Sequence, residues 1–193
     1  KTYEGGWEKL RNERYARMLK MGIIDKERWP LPPLEDRVKP WDTIDHKPWR
    51  IRNMAIYAAM VDHMDQAVGA IVQALEKTKQ LDDTLIIYFH DNGACPEHLG
   101  GNGWNTANNI LAKAKKAGKT IAVGDKFDVP MGGPMTYGSV GHNWANAQNT
   151  PMRRYKMNVH NGGACTPAIV HWPAVLKTKP GSISNQRGHV IDM

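Results

Sequence analysis

The sequence predicts an α/β fold, and three segments carry that prediction. Met54, Tyr57, Val61, Met64, Val68, Ile71 and Leu75 are spaced alternately by three and four residues, the period of an amphipathic helix sustained for about six turns. The run Leu85-Ile86-Ile87-Tyr88-Phe89 comes soon after. It is continuous, apolar and rich in strand formers, the pattern of a strand buried on both faces as in parallel sheets. A second such run stands at residues 167–172, PAIVHW. A long helix feeding a short buried strand is half of a βαβ unit, which fixes the class.

The remaining elements follow in chain order. Residues 7–21 set Trp7, Leu10, Tyr15, Met18 and Leu19 among charges, a short surface helix that Gly22 stops. Residues 29–49 carry five Pro and three Trp, so they form an irregular connector whose apolar content packs it over a surface. Residues 94–150 are rich in Gly, Asn and Pro, with one helix near 107–117. They read as a long loop region on the active-site side, since long loops in compact domains are usually functional. After the second strand comes a turn at Lys179-Pro180-Gly181, and HVIDM at the end starts a further element.

Composition narrows the function classes. The 193 residues suit a single domain or a large piece of one, and 23% charged residues is ordinary for a folded chain. No apolar run reaches the roughly 20 residues a bilayer requires. Cys95 and Cys165 lack the spacing of a zinc site, and either one disulfide or two free thiols fits them. Twenty-six Lys+Arg against 19 Asp+Glu give a net charge of +7. The basic residues are scattered, and the compact cluster Arg153-Arg154-Tyr155-Lys156 holds three charges, so solvated helix faces explain the excess without a nucleic-acid partner.

In open α/β sheets ligands collect at the carboxyl ends of strands. His90, Asp91, Asn92 and Gly93 occupy that place after the strand at 85–89. Asp91 and Asn92 offer hard oxygen donors suited to Ca²⁺ or Mg²⁺, although Asp-Asn-Gly is also a common turn sequence. Two donors fall short of calcium's six to eight oxygens, so other ligands come from elsewhere.

The run YAAMVDHMDQAVGAIVQALEKTKQLDDTLIIYFHDNG at 57–93 resembles the helix–strand unit of sulfatases, in which a D-x-x-V/I-G helix leads into a strand ending in DNG. Asp65, Val68 and Gly69 fall in the matching places. The run at 143–193, with NTPMRRYK, HNGGACTP and IVHWP, resembles the second half of bacterial arylsulfatases, and the opening YEGGWEKLRNERYARMLKMGII resembles a connector of the same family. The resemblance implies an alkaline-phosphatase-like fold, with a mixed and largely parallel sheet flanked by helices, and hydrolysis of sulfate esters. It implies that Asp91 and Asn92 are one pair of ligands to a divalent cation, usually calcium with magnesium possible, and that Lys156 contacts the sulfate. His90, before the metal pair, and His142 and His160, near Lys156, are weaker candidates for substrate contact, each set against the plainer reading of a structural histidine. The family's export habit implies a periplasmic or extracellular protein.

The family's nucleophile is a formylglycine made from a Cys/Ser-x-Pro-x-Arg motif. Cys165-Thr166-Pro167-Ala168-Ile169 lacks the Arg, Asn149-Thr150-Pro151-Met152-Arg153 lacks the Cys or Ser, and Cys95 fails likewise, so Cys165 reads as structural. With no start Met and no signal peptide, residues 1–193 are expected to be an internal part of one sulfatase catalytic domain, inactive alone, with the formylglycine upstream. Two alternatives stand beside this reading: a phosphomonoester or phosphodiester hydrolase of the same superfamily, and a non-catalytic basic module that binds polyanions.

Overall fold

The computed structural model of the chain describes residues 1–99 and 105–192. Helix α1 spans Gly6–Lys20 and buries Trp7, Arg11 and Tyr15, one face at i, i+4 and i+8. Its end is a Schellman cap: Gly22 takes a positive φ of 69°, and Ile23 N–H returns to the Met18 carbonyl. The connector at 29–49 lies along this helix. Tyr15 Oη donates to the Trp29 carbonyl at 2.7 Å, the buried Arg11 guanidinium donates to the Pro32 carbonyl, and Trp7 Nε1 donates to the Lys39 carbonyl. A short 3-10 turn, Trp41–Thr43, ends the connector.

Helix α2, Lys47–Lys77, is 31 residues long, which makes it about 46 Å. It begins with Pro48 in its first turn and ends on another Schellman cap, with Lys79 left-handed and Gln80 N–H on the Leu75 carbonyl. Strand β1, Ile86–Phe89, follows. Then come helix α3 (Asn105–Lys116), the short strands β2 (Ala122–Val123) and β3 (Thr136–Tyr137), and helix α4 (Gly141–Gln148). The chain closes with the single-turn helix α5 (Asn161–Ala164), strand β4 (Ala168–His171) and a 3-10 turn, Val190–Asp192.

The core is built on tryptophan. Trp7, Val38, Trp41, Met54, Trp144 and Ala147 form one buried cluster from α1, the connector, α2 and α4. Trp7 meets Trp41 and Trp144 edge-to-face at ring separations of 4.7 and 5.3 Å, the geometry that aromatic quadrupoles favour. The buried indole N–H of Trp144 donates to the Arg50 carbonyl at 3.2 Å.

The sheet differs from the one the sequence predicts. Among the described residues, β1 pairs with β4, antiparallel, in the register Ile86↔His171 to Phe89↔Ala168; the parallel ladder joins the two-residue strands β2 and β3. Neither β1 nor β4 is buried on both faces, and every position of β4 is exposed. Among the described residues each has one strand neighbour, and their side chains keep solvent access. The 94–150 region also holds more order than a loop: α4 forms in it because Trp144, Ala145 and Ala147 bury against the tryptophan cluster. Residues 100–104 of that region lie outside the described residues.

Candidate active site

The end of β1 turns through Asp91, Asn92 and Gly93, and the segment carrying Lys156 closes on this turn through the backbone. Lys156 N–H donates to the Ala94 carbonyl at 3.1 Å, and Gly93 N–H to the Gly163 carbonyl at 3.1 Å. The approach is close enough that only glycine fits. A Cβ on Gly93 would land on the Gly162 carbonyl, one on Gly162 on the Arg153 and Arg154 carbonyls, and one on Gly163 on the Asn158 and Tyr155 carbonyls. The Gly162-Gly163 pair therefore does what a tight backbone approach demands.

Asn149 ties the two segments together. Its Oδ1 accepts from Ala94 N–H at 2.9 Å, and its Nδ2 donates to the carbonyls of Arg154 at 2.8 Å and Gly162 at 2.7 Å. One amide thus satisfies three backbone groups, one on the turn side and two on the Lys156 side. Glu35, from the connector, is the second anchor. Its nearly buried carboxylate pairs with Arg154 Nε at 3.3 Å and Arg153 Nε at 3.5 Å, and accepts from Arg154 N–H. Arg154 and Met157 both adopt left-handed backbone, with φ of 66° and 73°, on either side of Tyr155-Lys156. Non-glycine residues hold this conformation only where the surroundings impose it, as these anchors do.

Lys156 is partly exposed, and its Nζ lies 3.3 Å from Glu97 Oε2. That hydrogen bond is the first cause holding its pKa above the usual lysine value, with Asp91 a weaker contributor. Cys95 Sγ donates to the same Glu97 oxygen at 2.9 Å, and burial followed by that bond pushes its thiol pKa up, away from thiolate character. Asp91 is exposed and Asn92 half-buried; the Asn92 amide nitrogen donates to the Gly93 carbonyl, which leaves its oxygen turned to other partners. An exposed carboxylate beside an amide oxygen that has no hydrogen-bond partner among the described residues fits a hard divalent cation in donor chemistry. Among the described residues no three His, Cys, Asp or Glu side chains gather into a metal site.

The three histidines separate. His90 lies against Tyr88, 3.2 Å from its hydroxyl, and its carbonyl accepts from Thr166 Oγ1. His142 packs beside Tyr155 and His98, with Nδ1 buried and unpartnered, and burial holds its pKa below the ordinary value. His160 is exposed and opens α5 with its carbonyl on the N–H groups of Gly163 and Ala164. Among the described residues none of the three hydrogen-bonds Lys156, Asp91 or Asn92. Both cysteines are free thiols; Cys165 is exposed, with Sγ 3.7 Å from Asn161 Oδ1.

Asn149, Glu35 and Glu97 make the contacts that hold the Lys156 segment and its side chain, and sequence reasoning missed all three. Asn149 sits inside the NTP stretch that marks the resemblance, so its place was visible but its role was not. Glu35 and Glu97 reach their partners across 119 and 59 residues, a pairing that spacing does not reveal.

The chain is thus an α/β chain in which Asp91, Asn92 and the Lys156 segment come together at the carboxyl end of a strand, where that class of fold places its ligands. It belongs to the sulfatase family, whose profile matches residues 6–193. It is 29% identical to an uncharacterised sulfatase of Schizosaccharomyces pombe over 99% of the chain and 33% of that protein. To an arylsulfatase of Klebsiella aerogenes it is 28% identical, over 99% of the chain and 38% of the relative. A choline-sulfatase of Rhizobium meliloti is 35% identical over 78 residues, 38% of this chain. The chain spans a third to two fifths of the length of the first two relatives.

Proposed function

We propose that these residues are part of a longer enzyme that hydrolyses sulfate esters, and that they supply one side of its metal site and a sulfate-binding lysine. The observation that carries this reading is the clamp between the Asp91-Asn92-Gly93 turn and the Lys156 segment, made by the Lys156–Ala94 and Gly93–Gly163 hydrogen bonds and by Asn149. It brings the Asp91 carboxylate, the Asn92 amide oxygen and the Lys156 ammonium to one strand end. Asp91 and Asn92 would hold a divalent cation, calcium or magnesium, which when bound acts as a Lewis acid on the sulfate. Lys156 binds a sulfate oxygen and offsets charge developing on the ester as the bond to the leaving oxygen breaks. The Lys156 ammonium is the group that moves no proton; its raised pKa keeps it charged. A formylglycine contributed by a segment outside residues 1–193 would be the nucleophile, so these residues alone are inactive. By analogy with the relatives named arylsulfatase and choline-sulfatase, the substrate is a sulfate ester, of a small molecule or a glycan in our reading, and the family's export habit suggests that the enzyme works in the periplasm or outside the cell.

The test uses the full-length protein, assayed with an aryl sulfate and the matching aryl phosphate. Lys156→Ala lowers turnover of the sulfate by about a hundredfold or more, and Asp91→Ala weakens calcium binding measured by titration calorimetry. Unchanged turnover in Lys156→Ala, or calcium binding untouched by replacing both Asp91 and Asn92, sinks the respective role. Faster turnover of the phosphate than of the sulfate overturns the sulfatase reading.

A further inference from the structure

Lys156 is held twice by the same short stretch of chain. Its backbone N–H bonds the Ala94 carbonyl at 3.1 Å, and its Nζ reaches Glu97 Oε2 at 3.3 Å. Pro96, buried between these two points, stiffens the stretch. The Glu97 side chain is 11% exposed, so its carboxylate is a built part of the fold, and Cys95 Sγ donates to the same oxygen at 2.9 Å. The Lys156 backbone is equally fixed, between the left-handed residues Arg154 and Met157.

We propose that Glu97 is a positioning residue for sulfate-ester hydrolysis: its carboxylate, steadied by the Cys95 thiol, holds the Lys156 ammonium where the substrate's sulfate meets it. This rests on the reading of Lys156 as the sulfate-binding lysine. A lysine stem has four rotatable bonds, and a free one would be ordered only when substrate binds. Here that ordering is done in the resting fold. An ammonium has three N–H donors, and the Glu97 bond occupies one, leaving two for sulfate oxygens. A donor fixed in advance at the point where charge develops stabilises the transition state more than the bound substrate. Glu97 therefore acts on turnover through Lys156 and touches no reacting atom.

The experiment has two readouts on the full-length protein. Acetylation of Lys156 by limiting acetic anhydride, counted by peptide mass against the exposed Lys179 as internal standard, reports directly on how tightly the amine is held. Glu97→Gln keeps the shape of the side chain and removes its charge, and Glu97→Ala removes both. Both variants are expected to raise Lys156 labelling severalfold. With an aryl sulfate, both should lower kcat about tenfold with KM within a factor of about two, and Glu97→Ala should cost little further in a chain already carrying Lys156→Ala. Unchanged labelling in Glu97→Gln overturns the proposal, as does a loss of turnover that adds in full to that of Lys156→Ala. A wild-type protein that cleaves no sulfate ester defeats the sulfatase reading instead, and the labelling ratio still decides whether Glu97 holds Lys156.

Discussion

The two ends of α2 lie in different surroundings. Toward its start, Trp49, Asn53 and Met54 are buried, Met54 within the tryptophan cluster and Trp49 against Phe127. Beyond Tyr57 the same apolar stripe runs out into solvent, with Val61 and Met64 about two-fifths and Ile71 about three-fifths exposed, beside the open β1–β4 ladder. The Lys156 segment is anchored on the packed side through Glu35, which pairs with Arg153 and Arg154, and through the buried Tyr155, while Lys156 itself is held by Ala94 and Glu97 next to the β1 turn. Asp91 and Asn92 hang from the second. The site therefore straddles a well-packed half and a lightly packed one, and Asn149 with the three close-packed glycines is what couples them.

That contrast can be broken by substitution. Trp144→Ala should cost the most, about 3–5 kcal/mol, because it empties the centre of the tryptophan cluster and strips Trp7 and Tyr3 of their edge-to-face partner; denaturant melts of the two proteins measure it. Asn149→Ala comes next. It leaves three backbone groups short of a partner, for a loss of about 2 kcal/mol. Its sharper signature is faster amide exchange at Ala94, and protection equal to wild type there would dissolve the coupling described above.

Tyr155 tests the packed half by pH. Burial first, then Glu35, pushes its phenol up to about 12, and its hydroxyl is buried without a partner. The folded chain thus keeps a proton that the unfolded chain gives up near pH 10, so this group's contribution is complete below pH 10 and is lost between about 10 and 12. Tyr155→Phe should match wild type near neutrality and fall less steeply in that alkaline window, and parallel curves would refute the assignment. The smallest effect belongs to β4: Ile169, 65% exposed, should tolerate Ser within about 0.5 kcal/mol. A loss several times larger would mean that another surface covers the ladder in solution.

What was legible in the sequence follows from the same contrast. Periodicity located α1 and α2, and Gly22 marked the end of α1, because these signals are local. The run at 85–89 revealed a strand but not its partner, since the β1–β4 pairing depends on chain more than 75 residues away. Helix α4 was hidden because GHNWANAQ has weak helical preference and folds for the sake of Trp144 and its alanines. Among the candidate site residues, Asp91 and Asn92 stood out by their place after an apolar strand, and Lys156 only through the resemblance to the family's motif. The residues that hold them did not, because Glu35, Glu97 and Asn149 act through tertiary contacts alone.

The pairing of Arg153 and Arg154 with Glu35, and of Lys156 with Glu97, also bears on how an anionic molecule arrives. The basic cluster that stands out in the sequence meets two carboxylates, so its three positive charges project little more than one into the surrounding water. Long-range attraction grows with uncompensated charge and fades with added salt. This cluster's own share of any long-range attraction for an anion should therefore change little between low and physiological ionic strength.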